Sequence, residues 1–128
     1  EKAVAPKPVA AAPAPPPPPE AQNFVLYFGT ADDELDEAAQ AVISRVRAAA
    51  SKMDGAKITV AGFTDTEGTS KYNLGLSDRR AEAVATALAD AAAQKIDTLS
   101  FGQHNQAVPT GDGVEEPRNR RVEVTVSP

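Results

Sequence analysis

The sequence predicts an α+β domain with the element order β-α-β-α-β-β, in which one four-stranded mixed sheet carries two long helices on one face. Short runs of β-forming residues are separated twice by segments whose apolar residues recur at helical spacing. Helices of this length between strands indicate crossover connections. The last two predicted strands are joined by a polar loop instead, which makes a mixed sheet the expected arrangement.

The first 22 residues differ in composition from the rest of the 128-residue chain. They hold eight of its eleven prolines and few residues that can form a core. Such a segment favours an extended polyproline II conformation, at about 3.1 Å per residue. We therefore predict a Pro/Ala-rich linker over residues 1–22 and a folded domain over residues 23–128.

The first strand is predicted at residues 23–28, which are rich in β-forming residues. An acidic run follows, which suits the first turn of a helix, and apolar residues then recur at helical spacing to about residue 52. The second strand is predicted at residues 57–64. Residues 66–75 are polar and are interpreted as a loop or a short helical turn.

The second helix is predicted to begin at Ser77, a residue type that can cap a helix N-terminus, and to run to about residue 94. Arg79 and Arg80 would then lie in its first turn, where cations oppose the helix dipole. A bound anion is one candidate explanation for them. Arg79 itself is interpreted as a solvated residue paired with Glu82.

The third and fourth strands are predicted at residues 96–103 and 120–126, on either side of a polar loop. Arg120 and Arg121 are adjacent in the last strand, so they point to opposite faces of the sheet. We therefore expect at most one of them to face a binding pocket and the other to lie at the surface.

The formal net charge is −5, yet five of the seven arginines lie in the second-helix and last-strand regions. An acidic domain is a poor match for nucleic acid phosphates, whereas a local arginine cluster suits a small anion. The chain has no Cys, and His104 is its only His, so we expect no metal site and no cofactor. Asp65 and Glu67 are close enough in sequence to form a catalytic acid pair, but no nucleophile or base accompanies them, so no enzymatic activity is expected.

Several short motifs match a known family in order and in spacing. Together they resemble the OmpA-like peptidoglycan-binding domain over about residues 24–126, and the matching residues are Gly62, Thr64, Asp65, Gly68, Tyr72, Asn73, Leu76, Ser77, Arg79, Arg80, Ala81, Asn119, Arg120, Arg121 and Val122. The resemblance implies a non-enzymatic module on the periplasmic side of the outer membrane of a Gram-negative cell. It also implies non-covalent binding of the meso-diaminopimelate stem peptide of peptidoglycan, which anchors the outer membrane to the cell wall.

The resemblance also implies roles for single residues. Asp65 takes the ammonium group of the diaminopimelate side chain, and Arg80 takes its carboxylate in a forked contact that Lys does not reproduce. Asn73 adds an amide contact. Arg120 or Arg121 walls or supports the pocket, and Arg120 is the one included among the predicted ligand-binding residues. Thr66 completes the set of predicted ligand-binding residues.

Three positions depart from the family pattern. After the third strand, where many members have Gly-x-Gly, only Gly102 remains, and Ser100 replaces the first glycine. Phe63 stands where family members usually carry His, and we expect its ring to pack against the sheet. Gly29 follows Phe28 where the family often has Asp, and with Ala31 it leaves the first loop to act mainly through backbone groups.

The chain opens on Glu1 without a Met, so we expect a processed protein or a fragment, with a membrane β-barrel or a lipid anchor upstream of residue 1. The alternative interpretation is a protein-interaction or dimerisation module without wall binding, in which the arginine cluster meets an acidic partner. A homodimer is open under either interpretation.

Overall fold

A computed structural model describes residues 20–128, so all but the last three residues of the predicted linker lie outside the described part. The elements follow the predicted order: β1 (Gln22–Tyr27), α1 (Glu37–Ser51), β2 (Lys57–Phe63), α2 (Ser70–Ala87), β3 (Lys95–Gly102), a single 3-10 turn (Pro117–Asn119) and β4 (Arg121–Ser127). Within residues 20–128, no helix has the length and apolarity that crossing a bilayer requires.

The four strands form one mixed sheet in the order β1-β4-β2-β3. Strand β4 is antiparallel to both of its neighbours, β1 and β2, whereas β2 and β3 are parallel and are connected through α2. The predicted α+β class and the mixed sheet are confirmed. The last strand of the chain therefore lies in the interior of the sheet, beside the first.

One hydrophobic core lies between the sheet and the two helices. Alternate residues of each strand face this core, as the period of a β-strand requires. Helices α1 and α2 both contribute to the same cluster, which places them on one face of the sheet, and the fully buried members are Leu26, Val46, Ala50, Ala56, Ile58, Val60, Ala81, Val84, Leu88, Val122, Val124 and Val126.

The predicted start of the second helix is wrong. Helix α2 begins at Ser70, and its N-cap is Thr69, whose side chain accepts a hydrogen bond from the backbone N–H of Tyr72. Arg79 and Arg80 therefore lie in the third turn of α2, where the argument from the helix dipole does not apply. The helix also ends earlier than predicted, at Ala87.

Ser77 lies inside α2 and joins the helix to the sheet. Its hydroxyl donates to the carbonyl of Leu74 at 2.7 Å and accepts from the backbone N–H of Gly102, at the end of β3, at 2.9 Å. A Cβ atom added at Gly62 would lie 2.1 Å from the carbonyl oxygen of Ser77. Gly62 therefore allows α2 to approach the end of β2 closely, and this approach positions Arg80 beside that strand end.

Candidate functional site

A cavity of about 110 Å³ lies beyond the end of β2. Three segments form its wall: the loop after β1, the loop after β2 and the part of α2 from Tyr72 to Arg80. The lining residues are Thr30, Ala31, Asp65, Glu67, Gly68, Tyr72, Asn73, Leu76 and Arg80. Asp65, Asn73 and Arg80, three of the five predicted ligand-binding residues, therefore lie together, whereas Thr66 and Arg120 lie behind the wall.

Asp65 follows β2 directly and is only 5% exposed. Its Oδ2 accepts from the backbone N–H of Glu116 at 3.2 Å and from Nη1 of Arg120 at 3.1 Å. Its Oδ1 accepts from the backbone N–H of Glu67 at 3.3 Å. A carboxylate oxygen has two acceptor positions, so Oδ1 keeps one for a further donor.

Arg80 is the largest fully buried side chain of the described part of the chain. Its Nε donates to the carbonyl of Asp32 at 2.7 Å, Nη1 to that of Phe63 at 3.0 Å and Nη2 to that of Gly29 at 3.0 Å. Its guanidinium also lies over the ring of Phe28, 5.2 Å from the ring centre. A guanidinium has five N–H donors, so one on each Nη has no protein partner within residues 20–128.

Burial lowers the pKa of Arg80 to about 10, and the negative charge of Asp65 opposes this effect. The side chain therefore remains protonated at neutral pH. A buried cation bound mainly by neutral carbonyl groups is only partly compensated, which favours an incoming anion next to it.

Asn73 connects the two loops that follow β2 and β3. Its Nδ2 lies 2.9 Å from the carbonyl of Glu67, 3.1 Å from Oε1 of Gln103 and 3.3 Å from the carbonyl of Asp65. Its Oδ1 accepts no hydrogen bond within residues 20–128, although Asn73 is only 1% exposed. Since Asn73 lines the cavity, its carbonyl oxygen is available to a donor on a ligand.

Arg120 faces the site, as predicted for one of the two adjacent arginines. Besides its contact with Asp65, its Nε donates to the carbonyl of Phe28 at 3.1 Å, so it joins the ends of β1 and β2. The side chain of Arg120 is 12% exposed, and that of Asp65 is 7% exposed. Arg120 therefore supports Asp65 from behind and does not line the cavity.

Arg121 does not lie at the surface, so that prediction is wrong. Its guanidinium lies 3.8 Å from the ring centre of Phe63, on the sheet face away from the helices, and Nε donates to Glu123 at 2.7 Å. Phe63 in turn stacks on Phe101, which confirms that Phe63 packs against the sheet. Arg121 is buried because two aromatic rings extend this face of the sheet beneath it.

Arg79 is half exposed, as expected, but its partner was predicted incorrectly. It forms an ion pair with Asp33, with Nε 3.3 Å from Oδ2, and its guanidinium lies 5.8 Å from the ring centre of Tyr72. The pair with Glu82 is absent from the ion pairs of the described residues. Arg79 therefore contacts the loop after β1 without entering the cavity.

Thr66 positions the loop that leads into β4. Its hydroxyl lies 2.6 Å from the carbonyl of Gly111 and accepts from the N–H of Val114 at 3.0 Å. Its own carbonyl accepts from the N–H of Gly113 at 2.9 Å. The same loop continues to Glu116, whose N–H binds Asp65, so Thr66 acts on the site through this loop.

The Glu116 side chain is held by Arg118. Oε2 of Glu116 accepts from the backbone N–H of Arg118 at 3.1 Å and from its Nε at 3.0 Å, and Oε1 accepts from Nη2 at 3.0 Å. These bonds lower the pKa of Glu116 to about 2 and raise the pKa of Arg118. The pair fixes the short turn whose backbone N–H points at Asp65.

Several groups of the site carry no sequence signal. The carbonyls of Gly29 and Asp32 that bind Arg80 belong to a loop in which Ala31 has a positive φ of 54°. Because any residue type supplies a carbonyl, the sequence does not identify these two groups. It supported only the general expectation that this loop acts through its backbone. Glu67 and Tyr72 line the cavity as well, and their positions beside Asp65 and Asn73 were the available signal.

The cavity presents charges of both signs in a small volume. Asp65 and Glu67 provide negative charge and Arg80 provides positive charge. Among residues 20–128, no group of three or more His, Cys, Asp or Glu side chains has the spacing of a metal site. The arrangement suits a small ligand with an ammonium and a carboxylate on one carbon, bound by hydrogen bonds and ion pairs.

Comparison with known proteins agrees with this architecture. An outer membrane protein of Gluconacetobacter diazotrophicus is 32% identical over 81% of this chain, and a peptidoglycan-associated lipoprotein of Legionella pneumophila is 39% identical over 54%. The chain spans 30% and 40%, respectively, of the length of these relatives.

The structural comparison extends over most of the domain. The crystal structure of the peptidoglycan-associated lipoprotein from Burkholderia pseudomallei superposes with a TM-score of 0.71 at 27% identity, covering 80% of this chain and 89% of that one. The family model of the OmpA family matches residues 27–120, which include every predicted ligand-binding residue. The chain belongs to the OmpA family.

Proposed function

We propose that this domain binds peptidoglycan non-covalently by enclosing the free amino acid end of a meso-diaminopimelate side chain. The observation that carries the proposal is that Asp65, Asn73 and Arg80 line one cavity of about 110 Å³. Membership of the OmpA family and similarity to proteins named peptidoglycan-associated lipoproteins support wall binding. The charges of both signs in the cavity support selectivity for diaminopimelate.

In the proposed complex, the ligand ammonium donates to Oδ1 of Asp65 and to Oδ1 of Asn73, two acceptors of the cavity wall that can take a further hydrogen bond. The ligand carboxylate accepts from the remaining N–H groups of Arg80. Arg120 does not touch the ligand but holds the Asp65 carboxylate in position through a hydrogen bond of 3.1 Å. Lysine at the same stem position has the ammonium without the carboxylate, and its complex leaves the buried cation of Arg80 without an anion.

Entry of the ligand requires movement of the first loop. Arg80 has no surface open to bulk solvent, and its Nη2 and Nε are covered by the carbonyls of Gly29 and Asp32. A carboxylate that approaches Arg80 therefore displaces or tightens these contacts. We expect the backbone signals of both residues to report binding.

Binding rather than catalysis is proposed, because Asp65 already accepts three hydrogen bonds from protein donors and no nucleophile accompanies it. The placement proposed for the domain is the periplasmic side of the outer membrane in a Gram-negative cell, where it connects that membrane to the wall. A membrane β-barrel or a lipid anchor upstream of residue 1 is the proposed attachment. These points rest on the relatives named above.

The alternative of an arginine cluster that meets an acidic partner finds no support in the side-chain contacts. Arg80 is fully buried, and the side chains of Arg120 and Arg121 are 12% and 6% exposed. Arg79 and Arg118 are exposed but are already paired with Asp33 and Glu116. The five arginines therefore do not form one free cationic surface.

The test is an NMR titration of the ¹⁵N-labelled chain with three synthetic stem tetrapeptides that differ only at the third residue. This residue is meso-diaminopimelate, its side-chain amide, or lysine. Because its α groups are held in peptide bonds, only the first peptide presents a free zwitterionic end. Saturable shifts at Gly29, Asp65 and Asn73 with that peptide alone would support the proposed ligand.

Equal shifts with all three peptides would retain peptide binding but reject recognition of the zwitterionic end. Purified sacculi, sedimented with the protein, test wall binding independently of the stem residue. Absence of the protein from the sacculus pellet, with a folded NMR spectrum, would reject the proposed function as a whole.

A further inference from the structure

Strand β1 forms one edge of the sheet in the described part of the chain. Within residues 20–128 its only neighbour is β4, and its six residues, Gln22–Tyr27, include no charged residue and no proline. Soluble proteins usually place charges, proline or a bulge on an edge strand, because these features discourage pairing with another chain. The opposite edge strand, β3, carries Lys95 and Asp97. The two edges therefore differ in how readily they accept another strand.

The backbone groups on the free side of β1 can be assigned. The N–H of Phe28 donates to the carbonyl of Arg120, which continues the β1–β4 ladder by one residue. Both backbone groups of a residue in an antiparallel strand point to the same side, and the side alternates along the strand. The even-numbered residues of β1 thus face β4, and Asn23, Val25 and Tyr27 present their N–H and C=O groups outward.

The same residues carry exposed apolar surface. Val25 is 38% exposed and Tyr27 is 54% exposed, both on the sheet face away from the helices. On the helix side, a space of about 120 Å³ lies between β1 and α1, lined by residues that include Leu26, Ala39 and Val42, with the capping residue Asp36. An added strand would find apolar surface on both sides of the sheet.

We propose that a second copy of this chain pairs with β1 as an antiparallel strand, with the two-fold axis at Val25. Three residues of β1 face outward at equal spacing, and Val25 is the middle one. A two-fold axis at Val25 therefore pairs all three with the same residues of the other copy. Val25 of each copy exchanges both backbone hydrogen bonds with Val25 of the other, and Asn23 lies opposite Tyr27. Every outward backbone group of β1 is then paired, and two four-stranded sheets become one continuous sheet.

The second copy is favoured over pairing between β1 and β3. Because β1 is uncharged, its self-pairing brings no like charges together across the axis. On the helix side the same register places Phe24 opposite Leu26, which are apolar residues. Pairing of β1 with β3 of another copy is heterologous and leaves an open edge at each end, so it does not close. The proposal is independent of wall binding.

Cysteine cross-linking provides a direct test, because the chain contains no Cys. In the proposed register the two Val25 Cα atoms form a hydrogen-bonded pair, about 5.5 Å apart, which lies within the range of a disulfide. The 128-residue chain carrying Val25→Cys is expected to form a covalent dimer in a glutathione redox buffer at low protein concentration. Leu99→Cys, on the other edge and also exposed, is the matched control and is expected to remain monomeric.

Sedimentation velocity over a range of concentrations completes the test. The unmodified chain is expected to move from monomer towards twice the monomer mass, and Val25→Lys, which places two ammonium groups beside the axis, is expected to abolish the shift. Leu99→Lys should leave it unchanged, and circular dichroism should show all variants folded. A monomer at every concentration, a dimer that only Leu99→Lys disrupts, or capture of an extended peptide by β1 without self-association would each overturn the proposal.

Discussion

Nη1 of Arg80 lies 3.0 Å from the carbonyl oxygen of Phe63, so the middle of α2 is tied to the last residue of β2. Asp65 follows two residues later, and the distance between acid and guanidinium is therefore set by a rigid strand end and a rigid helix. A recognition pair placed on such elements is better preorganised than one placed on loops alone. This contact gives Arg80 a structural role in addition to its proposed role in binding.

Arg80→Lys should abolish binding of the diaminopimelate peptide and destabilise the fold. A lysine ammonium cannot bind the carbonyls of Gly29, Asp32 and Phe63 together, as the planar guanidinium does. Each buried carbonyl that is left without a donor costs about 1–3 kcal/mol. Urea denaturation measures the loss of unfolding free energy, and the peptide titration measures binding. Arg79→Lys is the matched control, because Arg79 is adjacent to Arg80 in sequence and its own side chain is half exposed. Unchanged affinity in a folded Arg80→Lys variant would remove Arg80 from the site.

Thr66→Val should weaken peptide binding without removing any group from the cavity. The substitution conserves volume but leaves the N–H of Val114 without its acceptor, which costs about 1–3 kcal/mol of stability. The loop that delivers the Glu116 N–H to Asp65 then loosens. Thr66→Ser, which keeps the hydroxyl, should restore both properties. Equal behaviour of the two variants in denaturation and titration would contradict a role for the hydroxyl.

Arg118→Ala should raise the pKa of Glu116 from about 2 towards its ordinary value of 4.5. In the unmodified chain this pKa is lower in the folded state than in the unfolded state, so the unfolded state binds more protons between these values. The stabilising contribution is therefore complete above pH 4.5 and is lost as the pH falls towards 2. NMR titration of the Glu116 carboxyl carbon measures the shift. A Glu116 pKa that stays near 2 in the variant would assign the effect to another group.

Gly62→Ala should destabilise the domain strongly. The added Cβ would lie 2.1 Å from the carbonyl oxygen of Ser77, a backbone atom of α2. We expect the unfolding free energy to fall by about 1–3 kcal/mol or more, the range found for overpacked cores. Gly111→Ala is the control, because an added Cβ meets no atom within 4 Å there. Thermal unfolding measures the midpoints of both variants. Similar midpoints for Gly62→Ala and Gly111→Ala would contradict the close approach of α2 and β2.

The element order and the core were predictable because local patterns carry them. Alternation in the last strand and helical spacing in the first helix identify buried residues such as Val124 and Val46 without reference to the rest of the chain. The start of α2 was missed because residues 66–75 include glycine and several polar residues, and they have no apolar periodicity. The apolar pattern that predicts a helix begins only after Ser77, whereas the helix itself is capped by Thr69.

The candidate site was likewise predictable only in part. Asp65, Asn73 and Arg80 were found through family motifs, and the structure places all three in one cavity. The burial of Arg121 was missed because it depends on Phe63 and Phe101, which come from two other strands. The backbone groups that hold Arg80 and Asp65 carry no side-chain signal, so only the fold reveals them.

The interior position of β4 has a consequence for synthesis and export of the protein. Among the described residues, 20–128, β4 is the only neighbour of β1, and the paired residues Gln22 and Val126 are far apart in sequence. Strand β1 therefore has no partner in this sheet until β4 has been synthesised. Contacts of such long range close slowly. An emerging chain therefore carries a neutral, apolar strand with both edges bare, and holding by a chaperone until the last strand arrives would protect it from aggregation.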